Sequence, residues 1–155
     1  MITIRPAAKE DMSAVLELIC ELAAYEKAPL EVEVDVATLE ADGFGPEKIF
    51  DCVVADDNSE IAGFALYYTK YSTWKGKCLF LEDFVVKESR RGQGIGKLLF
   101  DEVVAEARRR HVKRMEWQVL EWNTPAINFY NKYKANLDPE WLNGKLVYSQ
   151  LQGEL

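Results

Sequence analysis

Three glycines at alternate positions, Gly92, Gly94 and Gly96, stand between two arginines and an apolar run in "SRRGQGIGKLLF", residues 89–100. Such a turn lets the main chain approach a ligand closely. It also aims several N–H groups at one place, beside the positive end of the helix that follows. Arg90, Arg91 and Lys97 add positive charge, so a phosphate or pyrophosphate is the natural guest. A dinucleotide-type Gly-x-Gly-x-x-Gly would need glycine at position 97, which is Lys97. A Walker-type loop would need Ser or Thr after that lysine, and Leu98 cannot ligate magnesium. From these residues alone, a glycine-rich turn that holds nothing is the remaining alternative.

Two more groups could carry proton chemistry. Glu82 and Asp83 are adjacent carboxylates inside the otherwise apolar strand-like run "KCLFLEDFVVK", 77–87. Side chains alternate along a strand, so the two are expected to face opposite sides of the sheet, with only one reaching a given site. A solvated pair on an edge strand is the other reading. Tyr130 lies in "NTPAINFYNKYKA", 123–135. Its phenol, with an ordinary pKa of about 10, holds a proton at neutral pH and can deliver it to a leaving group. Phe129, Tyr130 and Tyr133 at helical spacing also read as core aromatics.

The elements that must position these groups follow from periodicity and punctuation. "MITIRPA" reads as a first strand ended by Pro6. Lys9 to Tyr25 carries Met12, Val15, Leu16, Leu18, Ile19, Leu22 and Ala23 at three- and four-residue spacing, an amphipathic helix. "DVATLEADGFG", 35–45, predicts a shorter helix stopped by glycine. "KIFDCVVAD" and "EIAGFALYYTKY" predict two strands around a tight turn carrying Asp57 and Asn58. The run 77–87 is the next strand, and the glycine turn opens a helix to Arg110. "KRMEWQVLEW", 113–122, predicts a fifth strand. Residues 123–135 then predict a helix with Asn123 as N-cap and Pro125 in its first turn. "KLVYSQLQ", 145–152, reads as a final strand. This order fits a mixed α/β sheet covered by helices.

The 155 residues, 48% hydrophobic and 29% charged, suit one globular domain spanning 1–155, without internal repeat or linker. No apolar run is long enough to cross a bilayer and the N-terminus lacks signal-peptide order, so a cytoplasmic protein without membrane partners is expected. The net charge of −7 disfavours nucleic acid and suits a cationic substrate, though solubility alone would give the same charge. Cys20, Cys52 and Cys78 are far apart and never in a Cys-x-x-Cys pair, and the single histidine, His111, has no ligand-like neighbour. No metal site or disulfide framework is expected, and the cysteines read as small buried apolar residues. His111, in "RRRHVKR", reads as a solvated or dipole-facing residue at a helix end.

Arg91, Gly94 and Gly96 fit the pattern Arg-x-x-Gly-x-Gly, which resembles the acetyl-CoA pyrophosphate loop of the GNAT superfamily of N-acetyltransferases. "DGFG" at 42–45, "YSTWKGK" at 71–77, "LEDFVV" at 81–86, "RGQGIGKLL" at 91–99 and "EWNTPAINFYNKYKA" at 121–135 resemble its spermidine/spermine (diamine) acetyltransferase branch. "IRPA" at 4–7 and "LAAYE" at 22–26 extend the likeness over nearly the whole chain, in family order. The family's fold would be a single-domain, mostly antiparallel mixed sheet flanked by helices.

That resemblance implies an acetyl-CoA-dependent acyltransferase that strips a proton from a primary amine, polarises the thioester carbonyl and protonates the leaving thiolate. A lysine-type amine, with a pKa of about 10.4, is almost wholly protonated at neutral pH and needs a base. The resemblance makes Glu82 that base and Tyr130 the acid. Cofactor contacts would come from Phe84, Val85 and Val86 on the pantetheine arm and from Arg91, Gly92, Gln93, Gly94, Ile95, Gly96 and Lys97 on the pyrophosphate. Asn123, Thr124, Pro125 and Ala126 complete the cofactor side. The amine side would be Tyr25, Glu26, Glu82, Glu116, Trp117 and Gln118, and Glu26 also reads as an exposed helix-end carboxylate. Ser72 stands where polyamine-acetylating members tend to carry Asp, so "YSTWKGK" is more like members that acetylate thialysine, related amino acids or short diamines. Lys134 stands where glycine is common before Ala135, and "NLDPEWLNGK" matches poorly. A homodimer with exchanged C-terminal strands is a further implication. A protein-lysine or N-terminal acetyltransferase, a polyamine acetyltransferase and a non-catalytic acyl-CoA-binding sensor are the rival readings.

Overall fold

Turn chemistry and apolar alternation decide the sheet. In the computed structural model, which describes residues 1–153, strands β1 (Ile2–Pro6), β2 (Asp51–Asp57), β3 (Glu60–Ser72), β4 (Gly76–Val86) and β5 (Arg114–Trp117) form one sheet in the order β1-β2-β3-β4-β5. The β2–β3 connection is a two-residue hairpin in which Asn58 and Ser59 take positive φ, with the Ser59 N–H donating to Asp56. β4 and β5 are parallel, the other pairs antiparallel. A parallel pair needs a crossover, and helix α3 (Ile95–Arg109) supplies it.

Helices α1 (Met12–Tyr25) and α2 (Val36–Phe44) cover one face of the sheet. Met12, Val15, Leu18 and Leu39 bury against the cross-strand row Val54, Phe64 and Val85. On the other face Phe100 of α3 packs tilted against Phe84 and edge-on against Trp117, at 5.8 and 5.4 Å between ring centroids. Aromatic pairs in these geometries add to plain area burial. α2 starts at an Asp35 N-cap whose carboxylate accepts from the Thr38 N–H, which satisfies one of the helix's orphan donors.

The chain divides into two compact units, Met1–Gln118, which holds all of the above, and a second that begins at Val119. In the second, α4 (Thr124–Asn131) is capped by Asn123, whose side-chain oxygen accepts from the Ala126 N–H, with Pro125 in the first turn. Three differences from the expected elements stand out. β5 is four residues long and not ten. α4 stops at Asn131, short of 135. Tyr148–Leu151 of "KLVYSQLQ" is a single helical turn, α5, and not a strand. Cys20 is also exposed, unlike Cys52 and Cys78, because it falls off the buried Met12–Val15–Leu18 stripe of α1. His111 is solvent-exposed in the turn after α3, as read from its position.

Lys134 takes φ 56°, the left-handed conformation, while the Ala135 N–H reaches back to the Tyr130 carbonyl. This is a helix-terminating geometry that favours glycine, the residue expected there by resemblance. Lys134→Gly is therefore expected to raise stability by about 1 kcal/mol. Urea unfolding of the full chain checks it.

Candidate active site

The site in the first unit is built on an irregularity in β4. Cα partners pass from Leu66 with Asp83 to Tyr67 with Leu81, which leaves Glu82 without an opposite residue on β3. This is a β-bulge, and it interrupts the side-chain alternation. Leu66 and Tyr68 share a face, so their partners Asp83 and Phe80 share it too. Glu82 points the same way, since the Tyr68 hydroxyl donates to its carboxylate at 3.1 Å. The expectation that Glu82 and Asp83 face opposite sides is thus corrected: the extra residue brings both to the side covered by α1 and α2.

Glu26, the residue that closes α1, acts on the same place. Burial, followed by the negative charges of Glu82 and Glu26, pushes the Asp83 carboxyl up to about 7. Burial also raises Glu26. The Tyr68 phenol is pushed up to about 12 by burial and by Glu82 beside it, so it stays a donor at neutral pH. Among the described residues none of these three carboxylates is ion-paired.

The glycine turn lies directly beyond β4. Gly92 and Gly94 have φ of 76° and 79°, and Gly94 caps α3 without any side chain. The first helical bond runs from the Leu98 N–H to the Gly94 carbonyl, so the N–H groups of Ile95, Gly96 and Lys97 have no partner within the helix. Main-chain donors placed in this way can hold an anion. The side-chain cations are already engaged. Arg90 is bound to Asp57 at 2.6 Å and Glu60 at 3.1 Å, bracing the β2–β3 hairpin, with its Nε donating to the Gln93 side chain. Lys97 pairs with Asp101. Arg91 donates to the Val86 carbonyl at 3.2 Å, lies 3.8 Å from Glu21 and covers the Tyr25 ring at 5.4 Å. It ties the loop to both β4 and the end of α1.

Between turn and carboxylates, β4 offers main chain. β5 pairs only with Cys78–Leu81, so along Glu82–Val86 that edge of β4 has no strand partner among the described residues. Phe84 is held against Phe100, and Val85 is buried in the core, which fixes the edge in place. An extended amide-containing chain can add to such an edge as a strand does.

Other expected residues fall elsewhere. Glu116 is neutralised by Lys70 and Arg114, both at 3.3 Å, and Trp117 points into the α3 layer against Phe100. Gln118 is exposed where the first unit ends. Within the second unit, Asn123, Thr124, Pro125 and Ala126 form the first turn of α4, and Tyr130 is buried edge-on to Phe129 at 5.6 Å. Sequence reasoning set aside or missed two residues of the site. Asp83 was set aside by strict alternation, and Tyr68 could be found only from the strand register.

The Acetyltransferase (GNAT) family matches residues 14–134. The thialysine N-epsilon-acetyltransferase of Bos taurus is 39% identical over 142 residues, covering 86% of this chain and 84% of that one. The human spermidine/spermine N(1)-acetyltransferase-like protein 1 is 37% identical over 139 residues, 85% of this chain and 20% of the longer relative. In fold, a possible acetyltransferase from Clostridium difficile 630 aligns with a TM-score of 0.77 at 19% identity over 96% of this chain and 99% of that one. The chain belongs to the GNAT family and is an N-acyltransferase enzyme. No described helix is long and apolar enough to cross a membrane.

Gly94→Ala forces an alanine to φ 79° and is expected to cost about 1–2 kcal/mol of stability. At Gly96 an added Cβ would meet Phe84 and Val86 at an ordinary 3.6 Å. Gly96→Ala should therefore leave stability level or raise it by up to about 1 kcal/mol. Parallel denaturant melts of the two variants separate a conformational requirement from a steric one.

Proposed function

We propose that this enzyme acetylates the primary amine of a small cationic metabolite, using acetyl-CoA, by direct transfer in a ternary complex. The observation that carries the reading is the group of three carboxylates without counter-cations, Glu26, Glu82 and Asp83, beside a free strand edge and a main-chain anion site. The first recruits an ammonium group, the second accepts a pantetheine arm and the third a pyrophosphate. The residues present thus fit acetyl-CoA, which when bound supplies an acetyl group activated as a thioester.

In this reading the N–H groups of Ile95, Gly96 and Lys97, with Gly92 and Gly94 shaping the turn, hold the pyrophosphate. Main-chain groups of Phe84, Val85 and Val86 orient the arm and polarise the acyl carbonyl. The carboxylates hold the substrate ammonium and take a proton from it, with Glu82 the base that the family resemblance implies. Tyr130 gives a proton to the departing sulfur, and the first turn of α4 from Asn123 to Ala126 adds to the cofactor side. Residues 1–155 act as one acetyltransferase domain, in keeping with a family match that runs through both compact units.

For the substrate, a lysine-like amino acid such as thialysine, or a short diamine, is favoured over a long polyamine. The Ser72 hydroxyl accepts from the Trp74 and Lys75 N–H groups at 3.2 and 3.1 Å, so this position shapes the β3–β4 turn and offers no carboxylate. The uncompensated charge is concentrated at one place, as a short cation requires. The similarity to a thialysine acetyltransferase along most of both chains points the same way. A homodimer is also part of this reading. Trp141, Leu142, Leu146 and Val147 are exposed in a stretch without regular structure, an apolar surface that a second copy would cover.

The test is CoA release from acetyl-CoA with thialysine, lysine, ornithine, putrescine, spermidine, spermine and a basic peptide. Turnover is expected to be best with thialysine or the short amines. Preference for spermine or the peptide would overturn the substrate assignment. Tyr130→Phe is expected to lower kcat about 100-fold while acetyl-CoA affinity holds, and unchanged turnover would remove Tyr130 from the chemistry.

A further inference from the structure

We propose that Asp83, and not Glu82, is the atom-level acceptor of the substrate's ammonium proton, with Glu82 beside it as the anion that holds the ammonium in place. This rests on the acetyltransferase reading given above but moves the base from Glu82, which the family resemblance implies, to its neighbour. The geometry starts from the bulge. Without the extra residue at position 82, one of the two carboxylates would lie on the α3 face. With it, both stand on the face of Tyr68 and Leu66, and Glu82 is fixed there by the Tyr68 hydroxyl.

The two carboxyls are placed differently. Glu82 is exposed and holds a hydrogen-bond donor, whereas Asp83 is half-buried, opposite Leu66 in the β3 register. The groups around Asp83 do not neutralise it. Glu82 on its own strand and Glu26 at the end of α1 are anionic. Tyr68 on β3 is a neutral phenol, and the buried Cys52, two strands away in the same row, is held neutral as its thiol is pushed up to about 12. An amine of pKa about 10.4 transfers its proton to an ordinary Asp, at about 3.9, only with great difficulty. An acceptor at about 7 shortens that uphill ratio by about a thousandfold.

The step balances simply. One ammonium N–H bond breaks and its electron pair stays on nitrogen. An O–H bond forms on Asp83, and the positive and negative charges disappear together. The neutral amine is then the nucleophile, and the Asp83 carboxyl returns its proton to water after product leaves. Below pH about 7 Asp83 already carries a proton and cannot act. Activity therefore rises with pH through that value, while the amine remains ammonium throughout the range.

The experiment is the pH profile of kcat/KM from pH 5 to 8.5 for CoA release with acetyl-CoA and thialysine, for the wild type, Asp83→Asn, Glu82→Gln and Glu26→Gln. Alongside it, the side-chain carboxyls of the protein alone are titrated by carbon-13 NMR. The wild type is expected to show an acid limb near pH 7, and Asp83→Asn to lose about 100-fold in kcat/KM together with that limb. Glu82→Gln and Glu26→Gln should keep the limb and move it to lower pH, because each removes a like charge. A limb that survives in Asp83→Asn and vanishes in Glu82→Gln would make Glu82 the acceptor and overturn the proposal. A wild type silent with every amine would remove the proposed function itself. The titration then still judges the pair, since an Asp83 carboxyl at its ordinary midpoint would overturn it independently of turnover.

Discussion

One residue too many in β4 governs the site. Every main-chain N–H and C=O in a sheet needs a partner, and β4 obtains its partners from β3 along nearly its whole length. On the other edge β5 is too short to follow beyond Leu81. The bulge at Glu82 falls at the point where that second partner ends, so the strand changes from a central strand to an edge at the residue where its alternation breaks. Two features therefore coincide at one place: the end of β5 leaves a length of β4 main chain open, and the bulge brings a second carboxylate to the α1 face. The surrounding core makes this tolerable. Phe84 leans on Phe100 from one face and Val85 is buried with Phe64 and Val54 on the other, so the open edge does not collapse.

The charges are distributed unevenly. Arg5, Arg90, Arg109 and Arg110 all sit in ion-pair networks with Asp or Glu, and these bind the hairpin, the N-terminal strand and the end of α3 to the sheet. Even Arg91 and Lys97, at the glycine turn, have acidic neighbours. Exposed pairs of this kind contribute little stability each. Leaving three carboxylates together without a cation has the opposite sign: burial disfavours ionisation of Glu26 and Asp83, and the charges of Glu82 and Glu26 add to this at Asp83. Local departures from a protein's general pattern of satisfied charge are where function is expected.

Much of this could be read from residue order. The periodicity of α1, the Asn58 hairpin, the glycine turn opening a helix and the Asn123 cap all follow from local chemistry, and all are present. Register is different. "LEDF" looks the same whether its strand is regular or bulged, since the inserted residue is recognised only by what lies opposite on β3. Strict alternation therefore separated Glu82 from Asp83 when the sheet unites them. "KLVYSQLQ" failed for a related reason. A short segment with mixed propensity takes its conformation from whatever pairs with it, and residues 148–151 close a helical turn within their own unit. Cys20 shows the limit of composition: a cysteine is usually buried, but a helix buries only one stripe.

The proposed reaction pairs an anionic cofactor with a cationic amine, and the two regions proposed to receive them are each set by a helix end. α3 presents its N-terminus, the positive end of its dipole, to the glycine turn. α1 is closed by Glu26, whose carboxylate places negative charge in the neighbourhood of Asp83. Tyr25 and Glu26 are consecutive, yet the first carries the Arg91 guanidinium of the glycine turn on its ring and the second adds charge to the carboxylate group. A single turn at the end of α1 therefore touches both the glycine turn and the carboxylate group. In the proposed reaction a shift of that turn would disturb both, so the alignment of acyl donor and amine would depend on the α1 terminus as well as on β4.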